Sequence, residues 1–132
     1  MRDADRLDRY LRTIGVRPPP EYLAFLATHR VDPDGDGFVV SSDPEHWIVT
    51  KFFEIGDGPD FVQADETYRL VGDVLPNGMI PIAEDHGGNF FLLDCSSGTG
   101  VYWWDHERDL GDDRVEKVAG SFDEFKELLV PD

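Results

Sequence analysis

The chain has 132 residues and carries 28 Asp and Glu against 12 Lys and Arg, a formal net charge of -16. A field of that sign repels phosphate backbones and anionic lipid, which argues against nucleic acid or membrane as the main partner, while a basic protein surface would be steered in. Net charge speaks to solubility as much as to binding, so an acidic protein with no oppositely charged partner reads as well from these numbers. Hydrophobic residues at 40% and aromatics at 12% keep the chain out of the disordered class. The length suits a single domain, residues 1–132, with a core that needs no staples.

One cysteine, Cys95, has no intramolecular partner and lies in an apolar run, where it reads as a small buried hydrophobe. No apolar run is long enough to span a bilayer, and Met1 to Arg6 lacks the apolar core of a signal peptide, so the expected location is the cytoplasm.

Leu7, Tyr10, Leu11 and Ile14 recur at helical spacing with Arg6, Asp8, Arg9 and Arg12 on the other face, and Gly15 follows as a stop. Pro18-Pro19-Pro20 stiffens the next connection. Pro20 suits a first helical position, Glu21 the positive end of the dipole, and Tyr22, Phe25 and Leu26 one buried face of a second helix ending near Thr28-His29-Arg30. Phe38-Val39-Val40 and Trp47 to Ile55 read as a pair of strands about the turn Ser41-Ser42-Asp43-Pro44. After the loop Gly56-Asp57-Gly58-Pro59-Asp60, the residues Val62, Tyr68, Val71 and Leu75 fit a weaker helix that ends before Pro76-Asn77-Gly78. Ile80 to Ala83, Phe90 to Leu93 and Val101 to Trp104 then form consecutive hairpins about Gly87-Gly88-Asn89 and Ser96 to Gly100. A polar loop from Arg108 to Arg114, a short strand Val115 to Ala119 and a last helix complete the chain. In that helix Ser121 and Glu124 stand at capping-box spacing and Phe122, Phe125, Leu128 and Leu129 are apolar.

The runs IPIAEDHGGNFFLLD, VYWWDHE and VAGSFDEFKELL, with Pro20-Glu21-Tyr22-Leu23-Ala24-Phe25-Leu26 ahead of them, resemble in order and spacing the SUKH superfamily. That family includes yeast cell-wall-synthesis regulators and many bacterial immunity proteins. The resemblance implies an α+β domain that binds and blocks a toxin and has no catalytic residues. The expected fold is α+β: a mostly antiparallel sheet of about five to six strands, two N-terminal helices and a C-terminal helix packed mainly on one face.

Asp32, Asp34 and Asp36 with Gly37 and Val39 match the first part of an EF-hand calcium loop, in which acidic oxygens at positions 1, 3 and 5 precede a glycine. Position 12 is Asp43 where glutamate is usual, and the residues from Phe38 read as strand, so a turn rich in Asp and Gly is the plainer reading. Glu84-Asp85-His86 and Asp105-His106-Glu107 sit at strand ends and offer ligands for a metal or groups for acid and base work, at no metal-motif spacing. Ser96-Ser97 has no neighbouring His, and Cys95 no neighbouring base. Trp103 and Trp104 point to opposite faces of their strand, so either one is exposed or both faces are covered.

The function expected is non-enzymatic: stoichiometric occlusion of a basic toxin domain such as a nuclease, with no cofactor and no metal. The expected partner-binding residues are Glu84, Asp85, Trp104, Asp105 and Glu107 at the hairpin ends, with Asp57 and Asp60 from the loop. A regulatory scaffold with an endogenous protein partner is the first alternative, and a small metal-dependent enzyme the second.

Overall fold

The computed structural model describes residues 2–32, 37–96, 100–106 and 115–131. Within them the chain forms α1 (Arg2–Ile14), α2 (Pro20–Thr28), β1 (Phe38–Val40), β2 (Ile48–Val49), β3 (Lys51–Phe52), α3 (Ala64–Val71), β4 (Met79–Glu84), β5 (Phe90–Asp94), β6 (Val101–Trp104), β7 (Val115–Ala119), α4 (Phe122–Leu128) and β8 (Leu129–Pro131). Short 3-10 turns cover Asp60–Val62 and Gly72–Val74. The fold is α+β, with an antiparallel five-stranded sheet in the order β3-β4-β5-β6-β7 and an antiparallel three-stranded sheet in the order β2-β1-β8.

The helices obey their local signals. Gly15, with φ of 69°, adopts the left-handed conformation that stops α1, and Pro20 opens α2 where its missing N–H costs nothing. Ser121 caps α4 by accepting from the Glu124 N–H at 3.0 Å, and the Glu124 carboxylate reaches back to the Gly120 N–H at 2.9 Å, one residue beyond the cap N–H that a standard capping box uses.

The run from Trp47 to Ile55 differs from expectation, because Thr50 divides it between two sheets. Ile48 and Val49 pair with β1, the Thr50 N–H donates to the Glu84 carbonyl, and Lys51 and Phe52 pair with β4. The final residues differ too: α4 ends at Leu128, and Leu129–Pro131 turns into β8, paired along β1. Both outcomes depend on which strand arrives alongside, something local propensity does not encode.

The register explains the core. Phe52, Ala83, Phe91 and Trp103 oppose one another across four strands on one face of the large sheet. Against that face lie the rings of α2 and α4: Phe25 is 5.0 Å from Phe52, and Phe125 is 5.9 Å from Phe52 and 5.4 Å from Phe91, centroid to centroid. Phe25 and Tyr22 each stand 5.2 Å from Phe122, which ties the two helices together. Lys51, Glu84, Phe90, Trp104 and Val115 line the other face. There Leu75, with Val71 at the end of α3, joins Leu92 and Trp104 in a second apolar cluster, so the large sheet is covered on both sides.

His29, at the end of α2, is half-buried and stacks on Phe25 at 4.6 Å and 15°. Burial holds its pKa below the ordinary value of about 6.5. The folded chain therefore binds this proton less readily than the unfolded chain. The stability contributed is full above about 6.5, and it is lost as pH falls from there toward the folded value. Melting curves at pH 7.5 and 5.5 should show a smaller acid-induced loss in His29→Leu than in the parent chain.

Candidate functional site

The end of the large sheet where β4, β5 and β6 stop is organised by one carboxylate. Asp85 is 6% exposed. Its Oδ1 accepts from the Gly87 N–H at 2.8 Å and the Asn89 N–H at 2.9 Å, and its Oδ2 accepts from Asn89 Nδ2 and Trp103 Nε1, each at 3.1 Å. Gly88 completes the turn at φ of 85°. Because Asn89 Nδ2 donates to the carboxylate, its Oδ1 points outward and accepts from the His106 backbone N–H at 3.1 Å and from His106 Nδ1 at 2.6 Å. That acceptor requires the proton of a neutral His106 to sit on Nδ1. The arrangement welds the β4–β5 turn to the end of β6 and leaves His86 and His106 exposed, with Glu84 and Asp105 half-buried.

Two of the expected contact residues are thus placed differently from the sequence reading. Asp85 is the internal acceptor of the turn, because a buried carboxylate must collect donors or forfeit its hydration. Trp104 is 4% exposed. Its ring stacks on Phe90 at 5.8 Å and 7° and packs with Leu75 and Leu92, so it offers no aromatic anchor to solvent. Trp103 is also buried, against the His46 ring at 4.7 Å and with its indole N–H on Asp85. Glu107 lies outside the described residues.

Three of the remaining acids lie on the turn after β3 or on the strand paired with β3. Asp57 and Asp60 are exposed on the turn between β3 and α3, and Glu84 reaches Lys51 Nζ at 3.7 Å. The same ammonium stands 4.7 Å from the centroid of Phe61, whose side chain is 66% exposed. Phe61, Lys51, Thr50, Val31 and Val62 line a groove of about 480 Å³. It adjoins a smaller hollow of about 220 Å³ bordered by Phe38 and Phe52. Asp57 and Asp60 thus lie on the turn that carries Phe61, Glu84 pairs with Lys51, and Asp105 stands at the hairpin end. Phe61 carries no sequence signal beyond an aromatic directly after Asp57-Gly58-Pro59-Asp60, since it belongs to no periodic run.

Among the described residues no three His, Cys, Asp or Glu side chains are grouped to hold a metal ion. Asp34 and Asp36 of the calcium-like loop lie outside the described residues, and Phe38–Val40 beyond it is a strand in place of the exiting helix of an EF-hand. Burial pushes the Cys95 thiol up to about 12, which leaves it unsuited to act as a nucleophile at neutral pH. No helix among the described residues is long and apolar enough to cross a membrane.

Comparison with known proteins adds a family. The model of the SMI1 / KNR4 family (SUKH-1) matches residues 3–127. The SPbeta prophage-derived uncharacterized protein YokK of Bacillus subtilis (strain 168) is 37% identical over 84 residues, 63% of this chain and 42% of that protein. This chain thus matches less than half the length of that curated relative, and no solved structure matches it. With the match running through nearly every element described above, this chain belongs to the SMI1/KNR4 (SUKH-1) family.

Proposed function

We propose that the protein is an immunity protein that binds a basic toxin domain, such as a nuclease, one to one and occludes its working face. Membership of a family known for immunity proteins supports this reading. The observation that carries it is the net charge of -16 on a folded domain, with the Asp57 and Asp60 carboxylates held at the surface and engaged in no hydrogen bond or ion pair among the described residues. Such a surface accelerates encounter with a basic face and competes with the nucleic acid that the same face would otherwise bind. The partner-facing set is Asp57, Asp60, Glu84, Asp105 and Glu107, with Asp85 and Trp104 holding the hairpin ends in shape from beneath. The role is non-enzymatic, needs no cofactor and is exercised in the cytoplasm.

Co-expression with the product of the gene immediately upstream tests the proposal. Rescue of growth together with a one-to-one complex on co-purification is the expected result, and its association rate should fall steeply as salt is raised. A harmless upstream product that does not co-purify would sink the immunity reading in favour of a regulatory scaffold with an endogenous partner.

A further inference from the structure

The turn between β3 and α3 is held more firmly than a connection requires. Gln63, 2% exposed, spans it from inside: its Oε1 accepts from the Gly56 N–H at 2.8 Å and its Nε2 donates to the Gly58 carbonyl at 3.1 Å. Arg6 reaches across from α1, donating to the Gly56 carbonyl at 2.7 Å and to Gln63 Oε1 at 3.0 Å while its guanidinium grips Asp65. Glu54, also buried, donates its backbone N–H to the Val62 carbonyl and accepts from the Ala64 N–H on its own carbonyl, which closes the turn at its far end. A side chain at Gly56 would stand 2.6 Å from the Glu54 carboxylate and one at Gly58 2.9 Å from it, so the path is fixed by close approach.

What this braced turn presents outward is Asp57, Asp60 and Phe61. Burying a large ring normally stabilises a fold, yet here the ring lies mostly in water, touched by the Lys51 ammonium. Lys51 is itself answered by Glu84, and Arg30 lies 3.7 Å from Glu54, so the cations at the groove are offset internally, whereas Asp57 and Asp60 make no ion pair among the described residues and Asp60 feels only the field of Arg69, itself paired with Glu66. An aromatic wall and an apolar floor of Val31 and Val62, with two exposed carboxylates on the same rigid turn, have the composition of a hot spot whose ordering cost is met before binding.

We infer that the Phe61 groove is the docking site for an extended basic segment of a protein partner, in which an arginine stacks on the Phe61 ring and pairs with Asp57 or Asp60 while an adjacent aliphatic side chain enters the groove. Arginine suits both contacts, since its planar guanidinium lies flat on a ring and forks onto a carboxylate. The inference rests on the toxin-binding reading for the partner's identity, and on the groove alone for its chemistry.

The test uses the full chain and a synthetic heptapeptide alternating arginine with leucine, followed by backbone amide shifts at 150 mM salt. Saturable shifts confined to 50–51 and 56–62 are expected. Phe61→Ala should weaken the peptide about 10-fold or more, Asp57→Asn with Asp60→Asn should weaken it several-fold, and Asp43→Asn with Glu45→Gln should leave it unchanged. Binding indifferent to Phe61→Ala, shifts elsewhere, or no saturation would overturn the inference. The two proposals fail separately. Peptide bound in the groove alongside an inert upstream product removes only the toxin, whereas a toxin bound equally by the parent and Phe61→Ala chains removes only the groove.

Discussion

Replacing Asp85 by alanine should lower the unfolding free energy by about 3 kcal/mol, because four donors lose a charged acceptor whose own side chain is buried. For a chain of this size that is a fall in Tm of roughly 10 °C. The side chain collects the Gly87 and Asn89 N–H groups, the Asn89 amide and the Trp103 indole, so its removal loosens the turn and frees a buried ring at once. Asn at this position keeps one oxygen for two of those donors and turns an NH2 toward the other two. It should recover less than half of the loss. Urea unfolding followed by circular dichroism and by tryptophan fluorescence checks both variants, and an unchanged midpoint for Asp85→Ala would show that the network contributes nothing. The consequence for interface mapping is practical. Charge reversal at Asp85 damages the scaffold beneath Glu84 and Asp105, so lost binding in such a variant would not locate the partner; substitutions at Asp57 and Asp60 test the surface without that confusion.

The helices α1, α2 and α4 were legible because they carry local punctuation: Gly15 and Pro20 around the first connection, and Ser121 with Glu124 at the last. The hairpins were legible for the same reason, since Gly88 supplies the positive φ that the β4–β5 turn uses. What escaped depends on neighbours distant in sequence. Thr50 divides a strand because β1 flanks its first half and β4 its second, and Leu129–Pro131 becomes a strand only because β1 is there to pair with it. The candidate site divides along the same line. Acidic residues in turns announce themselves, but a carboxylate that faces inward, as in Asp85, differs from one that faces outward, as in Asp57, only through its donors. Phe61 was invisible as a surface feature because exposure is a property of the packed chain.

Trp104→Ala should cost about 3–5 kcal/mol, the range for emptying a buried aromatic site that cannot collapse. Its ring closes the second apolar cluster with Leu75 and Leu92 and lies parallel to Phe90, so deletion leaves a void between the sheet and the end of α3. Trp104→Phe keeps a flat ring against Phe90 and loses only part of the contact, and it should recover more than half of the stability. The pair separates two roles for the same residue. A core tryptophan moves the urea midpoint strongly and moves partner affinity only as far as the folded fraction changes. An interface anchor does the reverse, leaving the midpoint in place while the complex is lost. Equilibrium unfolding of both variants beside binding measured well below their melting temperatures decides between them, and the burial of Trp104 beneath Leu75 commits the expectation to the first outcome.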